Sequence, residues 1–238
     1  MKKISLLFLI TIFALASQAQ ISHPYEVSKF KGEPISSIRA SGSFKISVTQ
    51  GSTTSATVSI PERYKDNLIF ELDEKGTLTV GLRDVKSHKP WNDEPCTLTV
   101  VCISLKEARL SGACTFDMPS GMTTPSLRFE LSGATEVSAG GDVNVGGRFE
   151  LKLSGASELR FNGRALDCNI EASGASELEL GQFVAVNLTA QLSGASEMEC
   201  NVTGEFRAQA SGASTIYYKG SPRRKSVESS GASRIQPR

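Results

Sequence analysis

"LKLSGASELRF", residues 151–161, decides the fold, because its Ser-Gly-Ala core recurs with the first Ser at 111, 132, 154, 173, 193, 211 and 230. The steps are 21, 22, 19, 20, 18 and 19 residues. A period near 20 residues is that of a solenoid, whose turns cannot bury their apolar faces singly and must stack. Aligning the copies on that Ser exposes the alternation. One residue before it stand Leu110, Leu131, Leu153, Ala172, Leu192 and Ala210, and five before it stand Leu127, Phe149, Cys168, Leu188 and Phe206. Five residues after it stand Phe116, Val137, Leu159, Leu178, Met198, Ile216 and Ile235. Apolar side chains at every second position, separated by Glu, Lys, Arg, Gln and Ser, describe half-buried strands.

Each copy therefore reads as strand, corner, strand and a looser second turn such as Gly140-Gly141, Asn162-Gly163 or Thr203-Gly204. The corner glycines Gly112, Gly133, Gly155, Gly174, Gly194, Gly212 and Gly231 supply a positive φ or a close backbone approach. The following Ala is expected to point into a corner too tight for a larger side chain, and the Ser hydroxyls to satisfy turn amides. The fold expected is all-β: a right-handed parallel β-helix of ~20-residue coils, the hand following from strand twist and crossover preference. A hexapeptide helix with triangular coils is not expected, since no six-residue sub-period is present.

Residues 20–105 are less regular. Runs such as Phe44–Thr49, Ala56–Ile60, Leu68–Leu72, Thr77–Val80 and Thr97–Val101 read as strands, with hairpin-type turns at Gln50-Gly51 and Lys75-Gly76. Pro61 to Asn67 fits one short helical turn. Ser41-Gly42-Ser43 sits in the repeat register. The expected organisation is a leader over residues 1–19, an N-terminal antiparallel β region over 20–105 that covers the open end of the solenoid, and the Ser-Gly-Ala β-helix over 106–238. Lys2 and Lys3 before the apolar run Ile4 to Ala16, then Ser17-Gln18-Ala19, mark a signal peptide. Its run is too short to span a bilayer, and no transmembrane segment is expected in the mature chain. No Cys follows the cleavage region, so lipid attachment there is not expected. Periplasm, outer-membrane association and the extracellular space all remain open.

Without Lys2 and Lys3 the chain has 24 basic and 25 acidic side chains, which gives nucleic acid no reason to bind. The basic cluster Arg223-Arg224-Lys225 is too short to change this. Five cysteines, at 96, 102, 114, 168 and 200, form no C-x-x-C pair. An odd number leaves at least one thiol free, and the register puts Cys168 and Cys200 on inward positions as small core residues.

The leader, "FKISVTQG" at residues 44–51, "GTLTVGL" at 76–82 and the serial "LSGA" copies resemble the secreted Bacteroidetes family called putative auto-transporter adhesin, head GIN domain. The resemblance covers residues 30 to 235. It implies an all-β, β-helical domain at the cell envelope, in adhesion or surface binding, and it brings no catalytic residues. The stretch after the repeats leaves no room for a membrane barrel, so a self-contained autotransporter is not expected.

Two features stand as candidate binding sites. Glu136, Glu158, Glu177 and Glu197 lie four residues after the first Ser, a column that stacking would turn into a ladder ~4.8 Å apart. Calcium wants six to eight oxygens from an irregular loop, so the expectation is a solvated acidic face and no metal. The stretch "RDVKSHKPWNDEPC", residues 83–96, holds the only Trp, Trp91, together with His88; an indole there can stack on a sugar or anchor a partner, or pack under its own loop. A serine nucleophile would need a base, yet the chain has only His23 and His88 and no Gly-x-Ser-x-Gly elbow. The reading is a non-enzymatic module without cofactor, binding a surface protein or a glycan. The alternatives are a polysaccharide-active β-helix enzyme, disfavoured by short turns that roof no cleft, and a structural scaffold.

Overall fold

The structure is a computed structural model that describes residues 24–85 and 95–238. It is a β-solenoid of about seven turns with stacked parallel coils. Three columns of strands run along it. The first precedes the corner and includes Glu107–Gly112, Leu127–Gly133, Glu205–Ala210 and Arg224–Ser229. The second follows the corner and includes Thr115–Met118, Glu136–Ala139, Glu158–Arg160, Glu197–Val202, Thr215–Lys219 and Arg234–Pro237. The third, short column was not expected from the sequence. Met122–Thr124 pairs in parallel with the start of Val143–Gly155, which pairs with the start of Gly163–Ala172, and that with Phe183, Val184 and Ala185 of Glu177–Leu192. These long strands bend from the third face into the first, with a register shift between Val145 and Arg148. The two-strand expectation missed this face because its runs are only about three residues long.

Corner geometry is uniform. Gly112, Gly133, Gly155, Gly174, Gly194, Gly212 and Gly231 all have φ between 71° and 95°. Each glycine carbonyl accepts the amide of the corner Ala one coil on: Ala156 N–H donates to Gly133 O at 2.8 Å, and Ala175 N–H to Gly155 O at 2.8 Å. The parallel ladder thus passes through the bend without a break. A Cβ on Gly133, Gly155 or Gly174 would lie 2.4 Å from the carbonyl oxygen of the glycine beneath, so glycine is required by space as well as by φ.

The expectation for the corner Ala is corrected, and that for the Ser hydroxyls is met at the corner of Ser230 and Ser233 but not at those before it. Ala113, Ala134, Ala156, Ala175, Ala195 and Ala213 are exposed, and the next residue points inward instead: Cys114, Thr135, Ser157, Ser176, Ser196 and Ser214 are buried. The hydroxyls of Ser157, Ser176, Ser196 and Ser214 donate to carbonyls, Thr135 pairs with the Ser157 hydroxyl, and Ser233 accepts the turn amide of Ser230. Ser157 Oγ reaches Ser154 O at 3.2 Å, Ser176 Oγ reaches Ser173 O at 3.1 Å and Ser196 Oγ reaches Ser193 O at 3.0 Å. A buried hydroxyl left unpaired costs about 1–3 kcal/mol, which these bonds avoid. The every-second-residue alternation runs through the corner: from Leu151 and Leu153 it passes position 155, where Gly leaves no side chain to bury, to the buried Ser157 and Leu159, so Ala156 faces out.

The inward columns close a single apolar core. Phe116, Phe129, Phe161, Phe149 and Phe183 form a chain of ring contacts with centroid separations of 5.5, 5.7, 6.1 and 5.4 Å. All five cysteines are buried and free. Burial pushes the thiols of Cys168 and Cys200 up to about 12, and those of Cys96 and Cys102 up to about 11.

The N-terminal end departs from sequence order. Ser37–Gly42 pairs in parallel with Thr77–Leu82 on one side and Glu107–Gly112 on the other, and Phe44–Gln50 lies likewise between Cys96–Cys102 and Thr115–Met118. The coil of residues 37–50 is therefore sandwiched between two later ones. Three antiparallel strands finish this end: Ser55–Pro61 on Cys96–Cys102, Pro24–Lys29 on Ser55–Pro61, and Leu68–Leu72 on Thr77–Leu82. A 3₁₀ turn, Glu62–Asn67, joins two of them where the sequence called for one helical turn.

Gly155→Ala is expected to destabilise the protein by about 3 kcal/mol, combining left-handed strain with overlap. Gly231→Ala, where the nearest backbone oxygen is 3.0 Å away, should cost less, and Ala156→Ser should be nearly neutral. Urea midpoints of the three variants check the order. The thiols give a second expectation. Their folded values lie above the unfolded value near 9.0, so stability is complete below pH 9 and falls as the pH rises through 9 to 12. A thiol reagent at neutral pH should label none of the five cysteines in the native protein and all five after denaturation.

Candidate binding surface

The acidic column forms as the spacing requires. Glu136 pairs in register with Glu158, Glu158 with Glu177, and Glu177 with Glu197. Glu136, Glu177 and Glu197 are exposed and Glu158 is half-buried. Among the described residues, Glu158 is the member of this column that forms an ion pair, with Arg160 of the column beside it. Arg160 Nη2 donates to Glu158 at 3.1 Å and to Glu179 at 2.9 Å. The Glu179 carboxyl is held below its usual range chiefly by the hydrogen bond from Arg160, whose own guanidinium is raised in return. Glu199 is met by Lys219 at 3.9 Å and by Arg238. Among the described residues no three His, Cys, Asp or Glu side chains converge as a metal site. Trp91 and His88 lie outside the described residues, so the structure does not place them beside the acidic column.

A different surface holds a long concavity. A groove of about 660 Å³ runs along the first face beside the corner, from Lys152 and Glu171 past Gln191 and Gln209 to Glu228. A second depression of about 370 Å³, from Arg39 and Arg109 to Lys152, continues it, and the two share Lys152 and Leu153. One wall is the ladder of first corner serines, including Ser111, Ser132, Ser154, Ser173, Ser193 and Ser211. The hydroxyls of Ser132, Ser154, Ser173 and Ser211 make long bonds of 3.3 to 3.4 Å to carbonyls of the preceding coil, as Ser154 does to Leu131 O and Ser211 to Leu192 O. Each keeps lone pairs directed outward. The other wall is the column two residues before those serines.

Charge divides this surface. Toward the N-terminal end, ion pairs tie the face together: Arg109 to Glu130 at 3.3 Å, Arg128 to Glu107 at 3.5 Å and to Glu150 at 2.6 Å, and Lys152 to Glu171 at 2.8 Å. Arg128 also pairs with Glu130, whose carboxyl is lowered chiefly by that bond. Beyond Glu171 the wall is neutral at Gln191 and Gln209, the latter donating to Glu228 at 3.2 Å. These column residues were missed in the sequence because the repeat alignment shows an outward column and not its concavity.

Residues 35–222 match the family described as "Putative auto-transporter adhesin, head GIN domain", and the chain belongs to that family. Solved structures share the fold. A protein of Bacteroides fragilis described as a putative adhesin is 21% identical, with a TM-score of 0.76 over 91% of this chain and 99% of that one. A Parabacteroides distasonis protein described as a putative lipid binding protein is 16% identical, with a TM-score of 0.65 over 92% and 98%. A putative adhesin of Parabacteroides merdae is 16% identical, with a TM-score of 0.61 over 90% and 96%. No curated protein matches the sequence.

Glu177→Gln should raise the melting temperature slightly, and Arg160→Gln should lower it more at low than at high ionic strength, because these are exposed charges screened by salt. Differential scanning fluorimetry across a salt series checks both, and chelator should leave every melting point unchanged.

Proposed function

We propose that the protein is an exported, non-enzymatic envelope module that holds an extended glycan along the serine-edged groove. The observation that carries this reading is the groove's continuity across coils, with one hydroxyl and one outward side chain contributed per coil. A coil advances ~4.8 Å, close to the length of one hexose in an extended chain, so successive sugars meet repeated hydroxyl and amide partners. A glycan is favoured over a surface protein as the ligand here because no large exposed hydrophobic residue lines the groove; among the described residues these are Ile103, Leu166, Val186 and Val227. A lipid chain is disfavoured because the Phe116-to-Phe183 stack fills the apolar interior. The corner hydroxyls donate to main-chain carbonyls instead of facing a base, which supports binding without turnover. Trp91 and His88, and separately the acidic column Glu136, Glu158, Glu177 and Glu197, remain further candidate contacts in this proposal, for a longer ligand or a surface protein. The leader of residues 1–19 supports export.

The double variant Gln191→Ala, Gln209→Ala should weaken binding of a polysaccharide identified on a glycan array about tenfold, at an unchanged melting temperature. Affinity should rise with oligosaccharide length. Length-independent affinity, or an unaffected double variant, would overturn the groove assignment. Release of new reducing ends or unsaturated sugars would overturn the non-enzymatic reading.

A further inference from the structure

The core pattern breaks at the last coil. Five residues before the corner, Leu127, Phe149, Cys168, Leu188 and Phe206 are all buried, and the register places Lys225 over Phe206. An ammonium thus occupies a core position. Its Nζ lies 5.2 Å from the centroid of the Tyr218 ring and donates to the Tyr218 hydroxyl at 2.9 Å. Beside it, Val227 lies over buried Ala208 and is 37% exposed, and Ile235 lies over Ile216 and is half-buried. All six residues of Arg224–Ser229 are exposed. Among the described residues, no strand pairs with the outer edge of Arg224–Ser229 or of Arg234–Pro237. The opposite end of the solenoid, by contrast, is closed by the chain's own antiparallel strands.

This end combines unpaired main-chain donors and acceptors, apolar side chains and the exposed cations Arg223, Arg224, Lys225 and Arg234. We propose that it docks an extended acidic segment of a partner polypeptide as one more strand on Arg224–Ser229, with a carboxylate over Lys225 and an apolar residue over Val227. The acidic character follows from Lys225. Covering its ammonium removes water from a charge, which is costly unless the covering strand brings a counter-charge. Arg224 on the outward side calls for acid at the neighbouring position. A second copy of the same end can set Lys225 opposite its Glu228 in one antiparallel register, but it brings the exposed Arg223, Arg224 and Arg234 of both copies to one interface, which an acidic segment does not. An exposed strand edge selects a polypeptide, since only a main chain can answer its alternating N–H and C=O groups. The proposal concerns a surface separate from the groove and stands independently of what the groove binds.

Calorimetric titration of the mature protein with a short peptide alternating Glu and Val tests it. The control is the same peptide N-methylated on the residues that would donate to the edge, which keeps the charge and removes the donors. Saturable binding is expected, weakened about tenfold or more by N-methylation and by Lys225→Leu. The Lys225→Leu variant should also begin to self-associate in light scattering, since an apolar residue restores the stacking pattern. Arg224→Ser should weaken binding without promoting self-association. Equal affinity for both peptides would reduce the effect to charge attraction and overturn the proposal. Absence of binding would mean that Lys225 only guards the edge, which also overturns it, as would undiminished binding by Lys225→Leu.

Discussion

Each corner glycine places its carbonyl oxygen in space left free by the missing Cβ of the glycine above, and that oxygen accepts the amide of the next coil's Ala. The bend is therefore part of the hydrogen-bond ladder rather than an interruption of it. Stacked corners fix where every coil turns, and this fixes which residue lies above which along the first and second faces. Inward residues of successive coils then fall into columns that can be filled by rings in contact, and the buried Ser, Thr or Cys of each corner closes the core beside the bend. Replacing any one of these glycines disturbs two coils at once, because the oxygen that would collide belongs to the neighbour.

The same register converts a sequence period into surfaces. A residue type repeated every 20 positions becomes a ladder, and its chemistry depends on the ladder beside it. The acidic column is tempered at Glu158 by Arg160 one column away, which binds carboxylates of its own coil and of the next. On the first face, alternating signs in adjacent columns zip one half with ion pairs, while Gln191 and Gln209 leave the other half neutral. At the coil of residues 224–237 the inward column changes from apolar residues to Lys225, and among the described residues no strand pairs with that coil's outer, cationic edge.

Much of this was legible in the sequence. The Ser-Gly-Ala period and the every-second-residue apolar pattern define a parallel solenoid, since no other arrangement buries these residues in one core. The parallel pairing of Glu136, Glu158, Glu177 and Glu197 follows from the same count. Reading failed at the corner: the small size of Ala156 suggests an inward place, while the alternation of Leu151 and Leu153 runs through position 155 to the buried Ser157 and Leu159. It failed again on the third face, because strands of three residues leave too short a pattern to separate from a turn.

The sequence by itself determined the period, the inward residues, the corner glycines and the columns, because these depend only on counting along a chain whose strands alternate. Tertiary structure alone decided that residues 37–50 lie between two later coils, that antiparallel strands cover one end, and that Arg160 answers Glu158 of the acidic ladder. It also decided that the corner serines edge a groove. Each depends on which strands come to lie side by side, and that is selected by edge pairing and charge, not by local pattern.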